Sequence, residues 1–209
     1  MPTSAMTPTM AAAPGPTPTP VMPTPTPAPT PTVRRLNWGC GGHTLPGWIN
    51  SDQKDGPGID LSCDIARGLP LETDSIDYAV SIHALPEVPY DAIVPVLTEL
   101  RRVIKPGGIL RLCLPDLIKG VRAYERGDRD YFLIPDADAR SLGAKLITQL
   151  VWYGYSRTLF TSEFIEEMLL KAGFSRVRHC AYRQTSGPDP EIVDLDNREP
   201  ESLYVEAYK

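Results

Sequence analysis

Charge is missing from the start of this chain. Between Met1 and Thr32 there is no Asp, Glu, Lys, Arg or His. The stretch is mostly Pro, Thr and Ala and ends in PTPTPAPTPT. Such a segment cannot bury enough apolar surface to offset the entropy of ordering, and its prolines favour extended polyproline II. Residues 1–32 are therefore expected to be a disordered tail. With no basic start and no continuous apolar core, the tail is not expected to act as a secretory signal. No apolar run approaches the ~18 residues that span a membrane, so no membrane span is expected. Cysteine is scarce: Cys40, Cys63, Cys113 and Cys180 are the four in 209 residues. None forms a Cys-x-x-Cys pair and no His stands at zinc-ligand spacing, so neither a metal site nor a disulfide framework is expected. The four read as small buried hydrophobes in a reducing cytoplasm. Basic charge is short as well. Lys and Arg number 21 against 26 Asp and Glu, a net charge of −5 with pI near 5.2. That argues against a dedicated nucleic-acid binder, which carries a basic face.

What is present begins at Val33. A chain of 209 residues has a prior of about one domain, here residues 33–209. Strand-like and helix-like runs alternate along it, the pattern of an α/β fold with a mostly parallel sheet. Strands are expected near 34–38, 48–52, 59–63, 76–82, 109–114, 177–184 and 202–208. Ile93, Val96, Leu97, Leu100, Val103 and Ile104 fall at helical spacing. Asp91 reads as the N-cap of that helix and Pro95 falls in its first turn, where a missing N–H does little harm. Lys105-Pro106-Gly107-Gly108 stops it. A second helix carries Phe164, Ile165, Met168 and Leu169. Thr161 caps it, Phe160 and Ile165 staple its start, and Gly173 ends it. Residues 116–159, rich in Tyr and Arg, read as a helical insert over the carboxyl edge of the sheet.

The chain is organised around Arg34 to Asp52, RRLNWGCGGHTLPGWINSD. A strand-like run, Leu36-Asn37-Trp38, enters Gly39-Cys40-Gly41-Gly42, and Asp52 ends the next apolar run. Glycine serves where φ must be positive or a ligand must approach the backbone. A Gly-rich turn after a buried strand is where open α/β sheets bind nucleotides. An acidic residue at the end of the following strand can hold a ribose by its paired hydroxyls.

LNWGCGG, NSD, SCDI, IDYAVSIHAL and LRRVIKPGGILRLCLPDL, in that order, resemble the class I S-adenosylmethionine-dependent methyltransferases. The likeness is greatest to the small type 11 bacterial members, including a branch encoded near glycan-synthesis genes. It covers residues 33–209 and implies a Rossmann-like fold: a seven-stranded, mostly parallel sheet with helices on both faces. It also implies S-adenosylmethionine as cofactor and a small-molecule or glycan-type acceptor. Asn37, Gly39, Cys40 and Gly41 match the first motif, whose backbone meets the methionine part of the cofactor. Asp52 matches the ribose-binding carboxylate, Asp64 the acceptor for the adenine amine, and Ile65 the side chain packed on the ring. His83, beside the methyl-donor position, is the candidate general base, or a lining of the cofactor pocket. Asp116, Tyr153 and Arg157 are the candidate acceptor-binding residues, with Tyr155 beside them, and Arg198 can pair with an acidic substrate or tie down a turn. The sequence departs from the common pattern. Asn37 replaces an acidic residue, His43 stands at the third Gly position, the loop to Asp52 is short, and Pro86-Glu87 replaces Glu-His.

Each assignment has a plainer counterpart: a strand-to-loop turn at Gly39, a turn-forming Asp52, helix caps at Asp64 and Asp116, and packing aromatics in the insert. Two other functions stay open. One is a nucleotide-dependent oxidoreductase, whose Gly-x-Gly-x-x-Gly is broken by Thr44. The other is a non-catalytic cofactor-binding or assembly protein on the same fold. Nothing in the sequence sets the oligomeric state.

Overall fold

A computed structural model describes Thr3 and residues 32–209. The expectation of a disordered tail falls outside the described residues. Seven strands form one sheet: β1 (Arg35–Trp38), β2 (Ile49–Asp52), β3 (Leu61–Ser62), β4 (Ile76–Ile82), β5 (Ile104–Pro115), β6 (Arg176–Cys180) and β7 (Ser202–Tyr208). Their order is β3-β2-β1-β4-β5-β7-β6. All neighbours pair in parallel except β7, which runs antiparallel to both β5 and β6. All seven expected strands are present. β3 is two residues long, and β5 begins at once where the preceding helix ends.

The main core lies on one face. Leu36, Ala79, Leu110, Leu112, Leu203 and Val205 point into it from the strands. Two helices cover it, α1 (Ile93–Val103) and a C-terminal helix over Ser162–Lys171. α1 turns Ile93, Val96, Leu97, Leu100 and Val103 inward, each worth roughly 1.5–3 kcal/mol when fully buried. Asp91 does not cap it. The chain arrives through a 3-10 turn, Tyr90–Ala92, which places Ala92 at the cap position with no side-chain bond. The helix over 162–171 follows the expected pattern closely. Thr161 Oγ1 accepts from Phe164 N at 3.2 Å. Phe160 and Ile165 are both buried in the core. At the far end Gly173 has φ 93° and donates to Leu170 O, while Phe174 N donates to Leu169 O, a Schellman closure.

The second face has a smaller core of its own. Its core joins Val80 and Ile109 of the sheet to Trp48, Ile192 and Leu195, with Leu45 and Val193 against them. These come from the loop after β1 and from a 3-10 turn, Pro190–Val193. The loop from Gly39 to Trp48 is too short for a helix, and the apolar residues beside it pack on this face of the sheet.

Beyond β5 the expected insert contains α2 (Leu117–Glu125) and α3 (Leu142–Val151); the helix over 162–171 is α4. The insert is tied to the end of β4, where Arg157 N and Thr158 N both donate to Pro86 O.

Candidate functional site

Parallel strands that lie side by side deliver their carboxyl ends to one edge. β1 and β4 are neighbours although β2 and β3 intervene in sequence. The chain therefore leaves β1 toward one side and β4 toward the other, and the crevice between is where such sheets bind ligands. The Gly turn follows β1, Asp52 ends β2, Asp64 follows β3 and His83 follows β4.

Gly39 (φ +67°) and Gly41 (φ +52°) are both left-handed, and a Cβ on Gly41 would meet nothing within 4 Å. That leaves bare backbone facing open space. Asp52 anchors the turn: Gly41 N donates to its Oδ2 at 2.8 Å, and Lys54 N donates to its Oδ1 at 3.0 Å. Asn37 is buried, and its Nδ2 donates to His43 O at 2.8 Å and to Asn50 Oδ1 at 3.1 Å. The amide that stands in for an acidic residue thus braces the short loop. Cys40 is buried, and burial, then the Asp52 charge, pushes its thiol pKa up. Asp64 caps a 3-10 turn, its Oδ1 accepting from Ala66 N at 3.0 Å, and Ile65 packs into the main core.

At the end of β4, Ser81 is fully buried and its Oγ has no partner among the described residues. His83 follows in a left-handed conformation, φ 56°. Its Nε2 lies 2.7 Å from Ser202 Oγ, and its backbone N donates to Cys113 O at 2.9 Å. Burial, then the Arg198 charge, lowers its pKa to about 3. The imidazole is therefore neutral at pH 7 and a weak base. Arg198 stands over Trp152, 5.8 Å from its ring centroid, and its Nη1 donates to Glu201 Oε1 at 3.2 Å.

A narrow cleft lies next to this edge, lined by Asp116, Tyr131, Phe132, Gln149, Leu150 and Glu201 among others. Asp116 caps α2, its Oδ1 accepting from Ile118 N at 2.9 Å and Lys119 N at 3.4 Å. Its backbone N donates to Glu201 O at 2.9 Å, which joins the cleft to the start of β7. Tyr131 has its phenol pushed up to about 12 by burial, then by Glu201 and Asp116.

Sequence reasoning found Asp116 here and missed Tyr131, Gln149, Glu201 and Ser202, which reach the site only through the tertiary fold. It also passed over Glu87, whose carboxyl is pushed up by burial and then by Asp52. The Pro86-Glu87 departure was its one signal. Two expected acceptor residues are not brought to the cleft. Tyr153 is 51% exposed and donates through its hydroxyl to Asp138 Oδ2 at 2.7 Å. Arg157 is exposed and not among the lining residues. Both sit beyond the end of α3, on the outside of the insert.

Residues 39–112 match the type 11 family model described as "Methyltransferase domain". No curated protein sequence matches the chain. Among solved structures, it is similar to an S-adenosylmethionine-dependent methyltransferase from Thermotoga maritima, a possible histamine N-methyltransferase. The two share 18% identity over 87% of this chain and 84% of that one, with a TM-score of 0.53. A S-adenosylmethionine-dependent methyltransferase from Archaeoglobus fulgidus matches at 11% identity over 85% of this chain and 86% of that one, TM-score 0.52. At such identities the likeness establishes a shared fold.

Proposed function

We propose that this chain is a class I S-adenosylmethionine-dependent methyltransferase, a reading supported by the family model over residues 39–112, and that it methylates a small polar acceptor, a small molecule or a saccharide, in the crevice between β1, β4 and β5. The observation that carries this reading is the carboxyl edge itself. The left-handed Gly39–Gly41 turn, Asp52 and Asp64 stand on three adjacent parallel strands, in the order a nucleoside with an amino-acid arm needs.

The residues fit that group. Each Asp52 oxygen spends one acceptor position on a backbone N–H and keeps another for a ribose hydroxyl, since a carboxylate offers about four acceptor positions. Asp64 Oδ2 is free of protein partners among the described residues, which suits an adenine amine. Gly41 leaves room for the methionine arm that any side chain would fill. Asn37 serves by holding the loop through His43 O, Cys40 by its backbone, and Ile65 from beneath the adenine site.

S-adenosylmethionine, when bound, supplies an electrophilic methyl on a sulfonium. The protein's task is then to hold acceptor and donor at attack distance, which can lower a barrier by roughly 7–11 kcal/mol. His83 lines the transfer point and orients the acceptor by hydrogen bonding. With a pKa of about 3 it is far from the value that suits a base at neutral pH, so the reading favours an acceptor that needs no proton removed by His83. Four free thiols suit a cytoplasmic setting. Among the described residues no helix is long and apolar enough to cross a membrane.

The test is calorimetric titration of S-adenosylmethionine and S-adenosylhomocysteine into the full chain, with NAD as a control. Micromolar binding, about −8 kcal/mol, weakened at least tenfold in Asp52→Asn, is expected. Asparagine keeps an acceptor for Gly41 N, so the turn survives. No binding of either adenosyl compound by folded protein would overturn the reading, and NAD binding in their place would support the oxidoreductase.

A further inference from the structure

We propose that Ser202 and Tyr204 are positioning residues for His83: their hydroxyls hold its ring as the Nδ1–H tautomer, so that the point of methyl transfer is offered an N–H donor. This rests on the methyltransferase reading and gives that same site two further residues.

His83 is fixed at both its backbone and its ring. Its φ of 56° is left-handed, which is uncommon for a residue with a side chain and points to function where the surroundings enforce it. Its backbone N donates to Cys113 O at 2.9 Å. The ring then reaches β7, where Nε2 lies 2.7 Å from Ser202 Oγ. Ser202 is itself held: it is 1% exposed, pairs with Pro115 in the β5–β7 ladder, and its carbonyl accepts from Lys119 Nζ at 2.6 Å. The other ring nitrogen, Nδ1, has no partner among the described residues and is not sealed from solvent.

The direction of the His83–Ser202 bond follows from what lies behind Ser202. Ser202 and Tyr204 are two residues apart on one strand and so share a face, and Cys113 stands opposite Tyr204 in the ladder. Cys113 and Tyr204 are both buried. Burial pushes the Cys113 thiol up to about 11, and burial, then Cys113, pushes the Tyr204 phenol up. Both groups therefore keep their protons at neutral pH. Tyr204 Oη is enclosed and has no partner at hydrogen-bond geometry among the described residues. A buried hydroxyl that donates to nothing is unfavourable, and the polar groups beside this one are Cys113 and Ser202.

The protons of Tyr204, Cys113 and Ser202 thus face one strong acceptor, the bare nitrogen of the imidazole. Burial, then the Arg198 charge, keeps that ring neutral. If Ser202 donates to Nε2, its oxygen is left to accept from the groups behind it. If Nε2 carried the proton, the Ser202 proton would be turned back into a pocket whose other groups are themselves donors. Which ring nitrogen is protonated is set by the bond the other one makes. The proton accordingly sits on Nδ1, on the open side of the ring.

Long-range ¹H–¹⁵N correlation spectroscopy of the full chain, labelled with ¹⁵N-histidine and held at pH 7, reads the two ring nitrogens directly. His43 and His179 are the other histidines, and a His83→Asn sample identifies the His83 signals. The expected result is a pyrrole-type Nδ1 and a pyridine-type Nε2, the reverse of free histidine in water. Ser202→Ala should move the tautomer ratio toward Nε2–H by about tenfold, the worth of one net hydrogen bond. Tyr204→Phe, which leaves the ring in place, should move it the same way by less. The amide spectrum shows that each variant is folded, and S-adenosylhomocysteine is titrated into the same samples. A pyridine-type Nδ1 in the native protein, a ring protonated at both nitrogens, or a ratio unmoved in folded Ser202→Ala would each overturn the proposal. A ratio unmoved in Tyr204→Phe would overturn the part given to Tyr204. The expected tautomer without binding of S-adenosylhomocysteine would uphold the hydroxyl clamp and overturn the transferase reading that gives it a task.

Discussion

Gly39 packs against Ala84 so closely that a Cβ built on Gly39 would lie 2.2 Å from the Ala84 Cβ. The turn after β1 and the turn after β4 are thus in van der Waals contact through a missing side chain. This contact sets the width of the crevice between the two strands. Gly41, two residues on, has the same left-handed backbone but faces open space. Two glycines in one motif therefore answer different demands, one of packing and one of access.

Substitution by Ala should separate them. Gly39→Ala adds about 1–2 kcal/mol of left-handed strain to about 1–3 kcal/mol of overpacking against Ala84, and should lower the urea midpoint markedly. Gly41→Ala carries only the strain. It should leave a well-folded protein whose affinity for S-adenosylhomocysteine falls at least tenfold. Equal losses of stability in the two variants, with affinity intact, would refute this division.

His83 should dominate the response to mild acid. Its folded pKa, about 3, lies below the ordinary 6.5, so between these values the unfolded chain binds a proton that the folded protein refuses. The contribution is fully present above pH 6.5 and is lost as pH falls. At pH 5 this amounts to about 2 kcal/mol at the usual 1.36 kcal/mol per unit. Denaturation at pH 7 and pH 5 should show that difference in the native protein and a much smaller one in His83→Asn, which tolerates the left-handed backbone. Identical slopes in both would mean His83 is not held neutral.

Much of this arrangement was legible from sequence because it is local. Thr161, Phe160, Ile165 and Gly173 announce α4 within a few residues of where they act. Ile93 to Val103 announce α1 by spacing alone, although the 3-10 entry moved its start past Asp91. The Gly turn and Asp52 are linked across one loop. The insert was legible as helical but not in its packing, and α3 shows why. It buries Lys145 and Gln149 while leaving Ile147 59% and Val151 36% exposed. Its inner polar side chains answer loop backbone, Gln149 meeting Leu133 N and Lys145 meeting Ile134 O. Hydrophobic periodicity assumes an apolar inner face, and here the partners are carbonyls and amides ten or more residues away. The cleft beside α2 depends on those same contacts, so Tyr131 and Gln149 could not be brought together from sequence.

That inversion is testable at Lys145. Its ammonium is buried, donates to Ile134 O and lies 2.9 Å from Asp136 Oδ1. Lys145→Met keeps the stem but leaves the Ile134 carbonyl unpaired in a buried setting, at a cost of about 1–3 kcal/mol. Hydrogen exchange should quicken first across residues 131–136, with α1 and α4 still protected. Uniform quickening across the whole domain, or none, would show that Lys145 does not organise the loop.

Arg111 offers the largest expected loss. It lies in the middle of β5, fully buried, on the face opposite the main core. Its Nε donates to Asp196 Oδ1 at 3.0 Å, its Nη2 to Asp196 Oδ2 at 2.6 Å, and its Nη1 to Glu206 Oε1 at 2.8 Å. The acids in turn accept from Arg183 N and Ser186 N at 2.9 and 3.0 Å. The cluster therefore ties the segment between β6 and β7 to the sheet, and that segment leads directly into Glu201 and Ser202. Removing one partner from a buried ion pair typically costs about 3–5 kcal/mol, because the remaining charge is stranded. Arg111→Met strands two carboxylates and should reach the top of that range in urea denaturation. Glu206→Gln leaves Arg111 its bidentate partner Asp196 and should lose much less. Adding Asp196→Asn and Glu206→Gln to Arg111→Met should recover part of the loss, since no charge is then left buried. If Arg111→Met alone proved as stable as the native protein, the cluster would contribute nothing net, and the segment that carries Glu201 to the cleft would be held by its apolar contacts at Ile192 and Leu195.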